Sequence, residues 1–87
     1  MDPYIVLAKE IQGGTFSALR RQNALTQEEM AERLHISCRA YSELERRKSC
    51  ASGVTVLFAA SMMGLKELHA PVRRFIEGVR AIEQGER

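Results

Sequence analysis

Between Leu25 and Lys48 the chain reads LTQEEMAERLHISCRAYSELERRK, with helix-start signals at Thr26 and Ser37, eleven positions apart. Thr26 is followed three residues later by Glu29, so its hydroxyl is placed to accept from the Glu29 backbone N–H. The Glu29 carboxylate then returns to the Thr26 N–H and completes a capping box. Leu25 before the cap and Met30 after it form a hydrophobic staple. Ser37 repeats the pattern as an N-cap, with Ile36 and Tyr41 as its staple pair. One helix therefore starts at Gln27 and another at Cys38, joined by a turn of about three residues, His35 to Ser37. A turn that short restricts the interhelical angle severely.

Helical spacing then sorts the side chains. Met30, Ala31 and Leu34 share one face of the first helix, with Glu28, Glu32 and Arg33 away from it. In the second, Ala40, Tyr41 and Leu44 point inward, leaving Cys38, Arg39, Ser42, Glu43 and Arg46 outside. That outer face is polar and ends in Arg46-Arg47-Lys48, where positive charge also suits the negative end of the helix dipole. Two short helices at a fixed angle, the second with a polar outer face, form a helix-turn-helix whose second helix enters the DNA major groove. Double-stranded DNA is the expected partner.

The flanking segments also read as helices. Asp2 is an N-cap before Pro3 at the first helical position, and Tyr4, Leu7, Ala8 and Ile11 recur at helical spacing. Gly13-Gly14 is expected to end this helix and Thr15 to cap another running to about Asn23, the alternative being one helix kinked at the glycine pair. Ser52 or Gly53 opens VTVLFAASMMG, ended by Gly64, whose nearly continuous hydrophobicity predicts a core helix covered on most sides. LKELHA reads as a short turn before Pro71, which starts a strongly amphipathic helix over 71–84. Its stripe of Val72, Phe75, Ile76, Val79 and Ile82 serves either the monomer core or a dimer interface, and dimerisation is the favoured reading. The expected fold is all-α, a five- to six-helix bundle forming a single helix-turn-helix domain over 1–87.

Other classes are less compatible with this chain. A domain of 87 residues buries only roughly 60–65% of its unfolded surface, which argues against a deep catalytic cleft. No nucleophile, base and orienting residue converge on the predicted helices, so an enzyme is not expected. The apolar run VTVLFAASMMGL falls well short of a span of about 20 residues. The N-terminus also lacks the basic region and cleavage site of a signal peptide. The expectation is a cytoplasmic protein without membrane contact. Cys38 and Cys50 are expected as reduced thiols, and His35, Cys38, Cys50 and His69 match no standard zinc spacing. Neither a metal nor a cofactor is expected. The formal net charge is only +2, so any nucleic-acid footprint depends on how charge is distributed.

The segment LRRQNALTQEEMAERLHISCRAYSELERRKSCASGVTVLFAASMMGL, Leu19 to Leu65, resembles a phage-repressor/Cro-type helix-turn-helix domain of the XRE family. Its most specific part is LTQEEMAERLHIS followed by YSELE, with Leu, Thr-Gln, Ala, Leu, Ser and Leu-Glu at family spacing. The resemblance implies a lambda-repressor-like fold with extra N- and C-terminal helices, centred on a motif at 26–46. It also implies a sequence-specific regulator, of repressor type, that occupies a pseudo-palindromic operator as a homodimer. Carried over by position, Cys38, Arg39, Ser42 and Glu43 are the base-reading residues. Gln27, Arg46, Arg47 and Lys48 meet phosphates, and Arg20 pairs with Glu45 as a structural salt bridge. Glu43 has a second reading, that of orienting Arg39 from the next turn.

The family pattern is broken at three points. His35 and Arg47 stand where glycine is usual, and the proline common near Ala51-Ser52 is absent. Two alternatives remain: an antitoxin-like or restriction-controller protein that binds DNA plus a protein partner, and a protein-interaction module with a helix-turn-helix fold.

Overall fold

The computed structural model describes residues 1–85 and contains five helices in that span. Helix α1 runs from Pro3 to Gln22, with the Asp2 carboxylate accepting from the Tyr4 N–H at 2.8 Å. It passes unbroken through Gly13 and Gly14, so the expected helix end at the glycine pair and the second start at Thr15 do not occur. The physical reason lies in tertiary packing. A Cβ on Gly13 would sit 2.9 Å from the Leu44 carbonyl oxygen and 2.9 Å from Arg47 Cγ, both belonging to the end of another helix and its exit. Gly13 allows two backbones to approach closely and forms no turn.

Helices α2, Gln27–Leu34, and α3, Cys38–Glu45, begin where their caps predict. The Glu29 N–H donates to Thr26 Oγ1 at 3.1 Å, the Thr26 N–H donates to Glu29 Oε1 at 2.9 Å, and the Ala40 N–H donates to Ser37 Oγ at 3.0 Å. The first three helices then stop in one way, on left-handed residues that are not glycine: Ala24 (φ 54°), His35 (φ 59°) and Arg47 (φ 61°). In each case the next amide bonds back across the helix end: Leu25 N–H to Arg20 O at 3.1 Å, Ile36 N–H to Ala31 O at 3.1 Å, Lys48 N–H to Glu43 O at 2.9 Å. These are Schellman-type ends, which satisfy carbonyls the helix itself leaves open.

Helix α4, Gly53–Met63, starts on the Ser52 cap, and Gly64 (φ 89°) separates it from α5, Leu65–Gly85. Helix α5 thus begins six residues before Pro71, and LKELHA is helical where a turn was expected. Leu, Lys, Glu and Ala are strong helix formers. Pro71 removes one backbone donor and its ring crowds the carbonyl four residues earlier, yet the helix continues through it because α5 is held by packing on α1 and α4.

Phe16, Leu19, Met30, Ala31, Leu34, Tyr41, Leu44 and Ala59 form the core, drawn from α1 to α4. The outer helices are less covered than their composition predicts. In α4 only Thr55 and Ala59 are buried, while Val54 and Leu57 are 64% and 70% exposed. The expectation of a core helix covered on most sides is thereby corrected: its neighbours cover one side only. In α5 the apolar stripe divides. Gly78 abuts Leu7 of α1 and Val79 and Ile82 are half-buried, whereas Val72, Phe75 and Ile76 are exposed. An apolar groove of about 320 Å³ opens between α1, α4 and α5, walled by Ile11, Phe16, Val56, Met63, Val72 and Phe75.

Adjacent glycines should therefore respond oppositely to alanine. Helix propensity alone favours alanine by about 1 kcal/mol at either position. At Gly14 the new Cβ would find only Arg47 Nη2 at 3.6 Å, so Gly14→Ala is expected to raise the unfolding midpoint. Gly13→Ala must displace backbone and is expected to cost about 1–3 kcal/mol, a difference that thermal unfolding of the two variants resolves.

Candidate nucleic-acid interface

Three helices meet at the carboxylate of Glu45, the last residue of α3. Arg20 of α1 grips it with two nitrogens, Nε at 2.6 Å and Nη2 at 3.2 Å, and donates through Nη1 to the Leu25 carbonyl at 3.1 Å. Gln27, at the start of α2, donates from Nε2 to Glu45 Oε1 at 3.3 Å. The Tyr41 hydroxyl donates to the same carboxylate and lies 3.2 Å from the Phe16 carbonyl oxygen. The Arg20 and Glu45 side chains are only 18% and 10% exposed, so this pair is shielded from water far more than a surface ion pair.

The protonation states follow from these contacts. Burial pushes the Glu45 carboxyl up, but hydrogen bonds from Arg20, Tyr41 and Gln27 outweigh it and hold the group below the usual carboxylate range. Burial and the neighbouring carboxylate push the Tyr41 hydroxyl well above its ordinary range. The bond to Glu45 likewise raises the Arg20 guanidinium. At neutral pH the cluster is a cation, an anion and a neutral phenol in mutual contact.

With Glu45 anchored, α3 has a defined inner side. Tyr41 is fully buried and stacks edge-on to Phe16 with ring centroids 6.4 Å apart, and Leu44 is buried beside it. The opposite side carries Cys38 and Arg39, both exposed, and Ser42 and Glu43, both half-exposed. Arg39 Nε lies 3.4 Å from Glu43 Oε1, and the Arg39 side chain is 91% exposed. The four residues expected to read bases thus share one accessible face. A guanidinium in that position has the planar donor fork that matches guanine O6 and N7. The turn before α3 is braced from below, with the His35 ring resting on Phe58 of α4 at 4.4 Å.

The four residues expected at phosphates divide two and two. Arg46 and Lys48 are exposed, on the segment that leaves α3. Arg47 turns back instead, with Nε 3.1 Å from Glu10 and Nη1 donating to the Glu45 carbonyl at 2.8 Å. The Gln27 side chain is likewise engaged by Glu45, although its residue stands at the α2 N-terminus. Cys38 and Cys50 are free, exposed thiols. Val72, Phe75, Ile76, Val79 and Ile82 belong to α5, which packs on α1 and α4. Tyr41 stands four residues before Glu45, a spacing at which its bond was predictable, whereas Glu10 and Gln12 act across long sequence separations that carry no such cue.

An all-helical frame presenting a braced second helix defines a helix-turn-helix protein. The helix-turn-helix family model matches residues 17–68, more than half of the chain, and the protein belongs to that family. Within it the domain is of the XRE type, a DNA-binding regulator. No curated protein and no solved structure matches the chain. Among the described residues no helix is long and apolar enough to cross a membrane.

The depressed carboxyl of Glu45 has a consequence for acid stability. A group with a lowered folded-state pKa contributes stability above its unfolded value and loses it as pH falls through the folded one. The wild-type protein should therefore lose more stability than Glu45→Gln between neutral pH and pH about 3, as read by denaturant unfolding at each pH. Glu45→Ala, which leaves the largely enclosed Arg20 without its anion, should cost about 2–3 kcal/mol at neutral pH.

Proposed function

We propose that the protein is a transcriptional regulator, a cytoplasmic single-domain repressor that occupies a pseudo-palindromic operator as a homodimer. The observation that carries the reading is the accessible face of Cys38, Arg39, Ser42 and Glu43 on a helix anchored from behind by Tyr41 and Glu45. Arg39 acts as the principal base reader through guanine O6 and N7, with Glu43 setting its rotamer or accepting from cytosine N4. Arg46 and Lys48 meet phosphates and fix the register of the domain without reading sequence.

Exposed surface supports the dimer. Val54, Leu57, Leu65, Val72, Phe75 and Ile76 all stand exposed on α4 and the first half of α5. From Ser49 to Leu65 the sequence contains no charged residue, the depletion expected at the centre of an interface. Lys66, Glu67, Arg73, Arg74 and Glu77 supply a rim of both signs, which suits contact between identical surfaces related by a two-fold axis. Such a dimer spaces its recognition helices about 34 Å apart, one DNA turn.

Selection of duplexes from a random pool at about 0.15 M salt is expected to enrich a pseudo-palindrome with half-sites one turn apart. Failure to enrich any motif would contradict the regulator reading. Arg39→Ala is expected to relax one base position at a cost of about 1–3 kcal/mol, while Lys48→Ala weakens all sequences alike and lowers the salt slope by about one unit. In sedimentation equilibrium the wild type is expected to run as a dimer and Leu57→Lys as a monomer. A wild-type monomer at operator-binding concentrations would contradict the two-fold arrangement.

A further inference from the structure

The segment from Arg46 to Ala51 leaves the recognition helix without regular structure, yet α1 holds it at two separated points. Glu10 lies 3.1 Å from Arg47 Nε. Gln12 Oε1 accepts from the Ala51 N–H at 2.8 Å. Beside them the bare backbone of Gly13 lies against the Leu44 carbonyl and Arg47 Cγ. Arg47 itself is left-handed at φ 61°, a conformation that costs a side-chain-bearing residue energy and persists only where neighbours hold it. Its side chain provides that hold, bonding forward to Glu10 and back to the Glu45 carbonyl. Arg46, Arg47 and Lys48 are all exposed, and of the three Arg47 is the one held in an ion pair.

We infer that Glu10, Gln12 and Arg47 form a clamp through which α1 sets the path of the segment presenting Arg46 and Lys48, so that all three are positioning residues for DNA binding although none of them touches DNA. The inference rests on the DNA-binding reading above. It changes the role of Arg47, whose charge is matched by Glu10 and is withdrawn from the phosphate-binding set. It also gives Glu10 a role of unexpected sign. Simple electrostatics makes any carboxylate near a DNA-binding surface unfavourable, so its removal should tighten binding. As part of the clamp, Glu10 supports binding.

That opposition of sign makes the clamp testable in the full-length chain with the duplex enriched by selection. Binding is measured by fluorescence anisotropy over a range of salt concentrations, well below the unfolding midpoint, where a general loss of stability leaves affinity unmoved. Glu10→Gln is expected to weaken binding by about two- to fivefold, the range available to a partly exposed ion pair, with no change in salt slope. Arg47→Ala is expected to weaken it at least as much, again at constant slope, and the double variant should be little worse than Arg47→Ala alone. Unchanged or tighter binding by Glu10→Gln would overturn the clamp. So would a fall of about one unit in the salt slope of Arg47→Ala, the signature of a lost phosphate contact.

Should no duplex be enriched, the regulator reading fails by itself, and the clamp is read from hydrogen exchange. Gln12→Leu is expected to speed exchange at the Ala51 amide while Leu44 keeps its protection. Equal exchange at Ala51 in both proteins would then dismiss the clamp.

Discussion

The carboxylate of Glu45 is the constraint on which the rest of the arrangement depends. Arg20, Gln27 and Tyr41 converge on it from α1, α2 and α3, so one side chain fixes both the position and the roll of the helix that carries it. This matters because α3 has only eight residues, too few to persist as a helix in water without tertiary support. Its N-terminus is secured by Ser37 and its centre by the buried Tyr41 ring. The Glu45 cluster secures its C-terminus. A face held at three points along its length presents its outer side chains in a fixed orientation, and such fixity is what base-edge recognition requires.

Nearly all of the helix-turn-helix was legible in the sequence because the interactions that define it are local. Capping boxes, N-caps and staples act within five residues, so Thr26, Glu29 and Ser37 announced the starts of α2 and α3 correctly. The errors came where long-range packing decided the outcome. Gly13-Gly14 has the composition of a helix end, yet Gly13 is required because Leu44 and Arg47 pass against it. Pro71 has the look of a helix start, but five good helix formers stand among the six residues before it and the helix had already begun. In α4 an even hydrophobicity implied burial on all sides. Composition does not reveal how many neighbours a helix has, and part of that apolar surface remains exposed on the monomer.

The outer polar face of α3 was visible as a pattern, since Cys38, Arg39, Ser42 and Glu43 are left outside by helical periodicity once Tyr41 and Leu44 are assigned inward. The basic run Arg46-Arg47-Lys48 was not resolvable into its parts. Three adjacent cations look equivalent in a sequence, and only the left-handed backbone at Arg47 and the proximity of Glu10 separate the middle one from its neighbours. The substitution of glycine by arginine at this position relative to the family pattern thus has a local explanation: the side chain stabilises a backbone conformation that glycine adopts without help.

We propose that the outer face of α3, with the segment following it, is the DNA-contacting surface, and that the apolar face of α4 and α5 is reserved for a second copy. Amide chemical-shift mapping during titration with an enriched duplex tests this directly. The largest changes are expected at Ser37 to Glu43 and at Arg46 and Lys48, with α4 and the exposed half of α5 little altered. Changes concentrated on Val54, Leu57, Val72 and Phe75, with Arg39 unmoved, would contradict it.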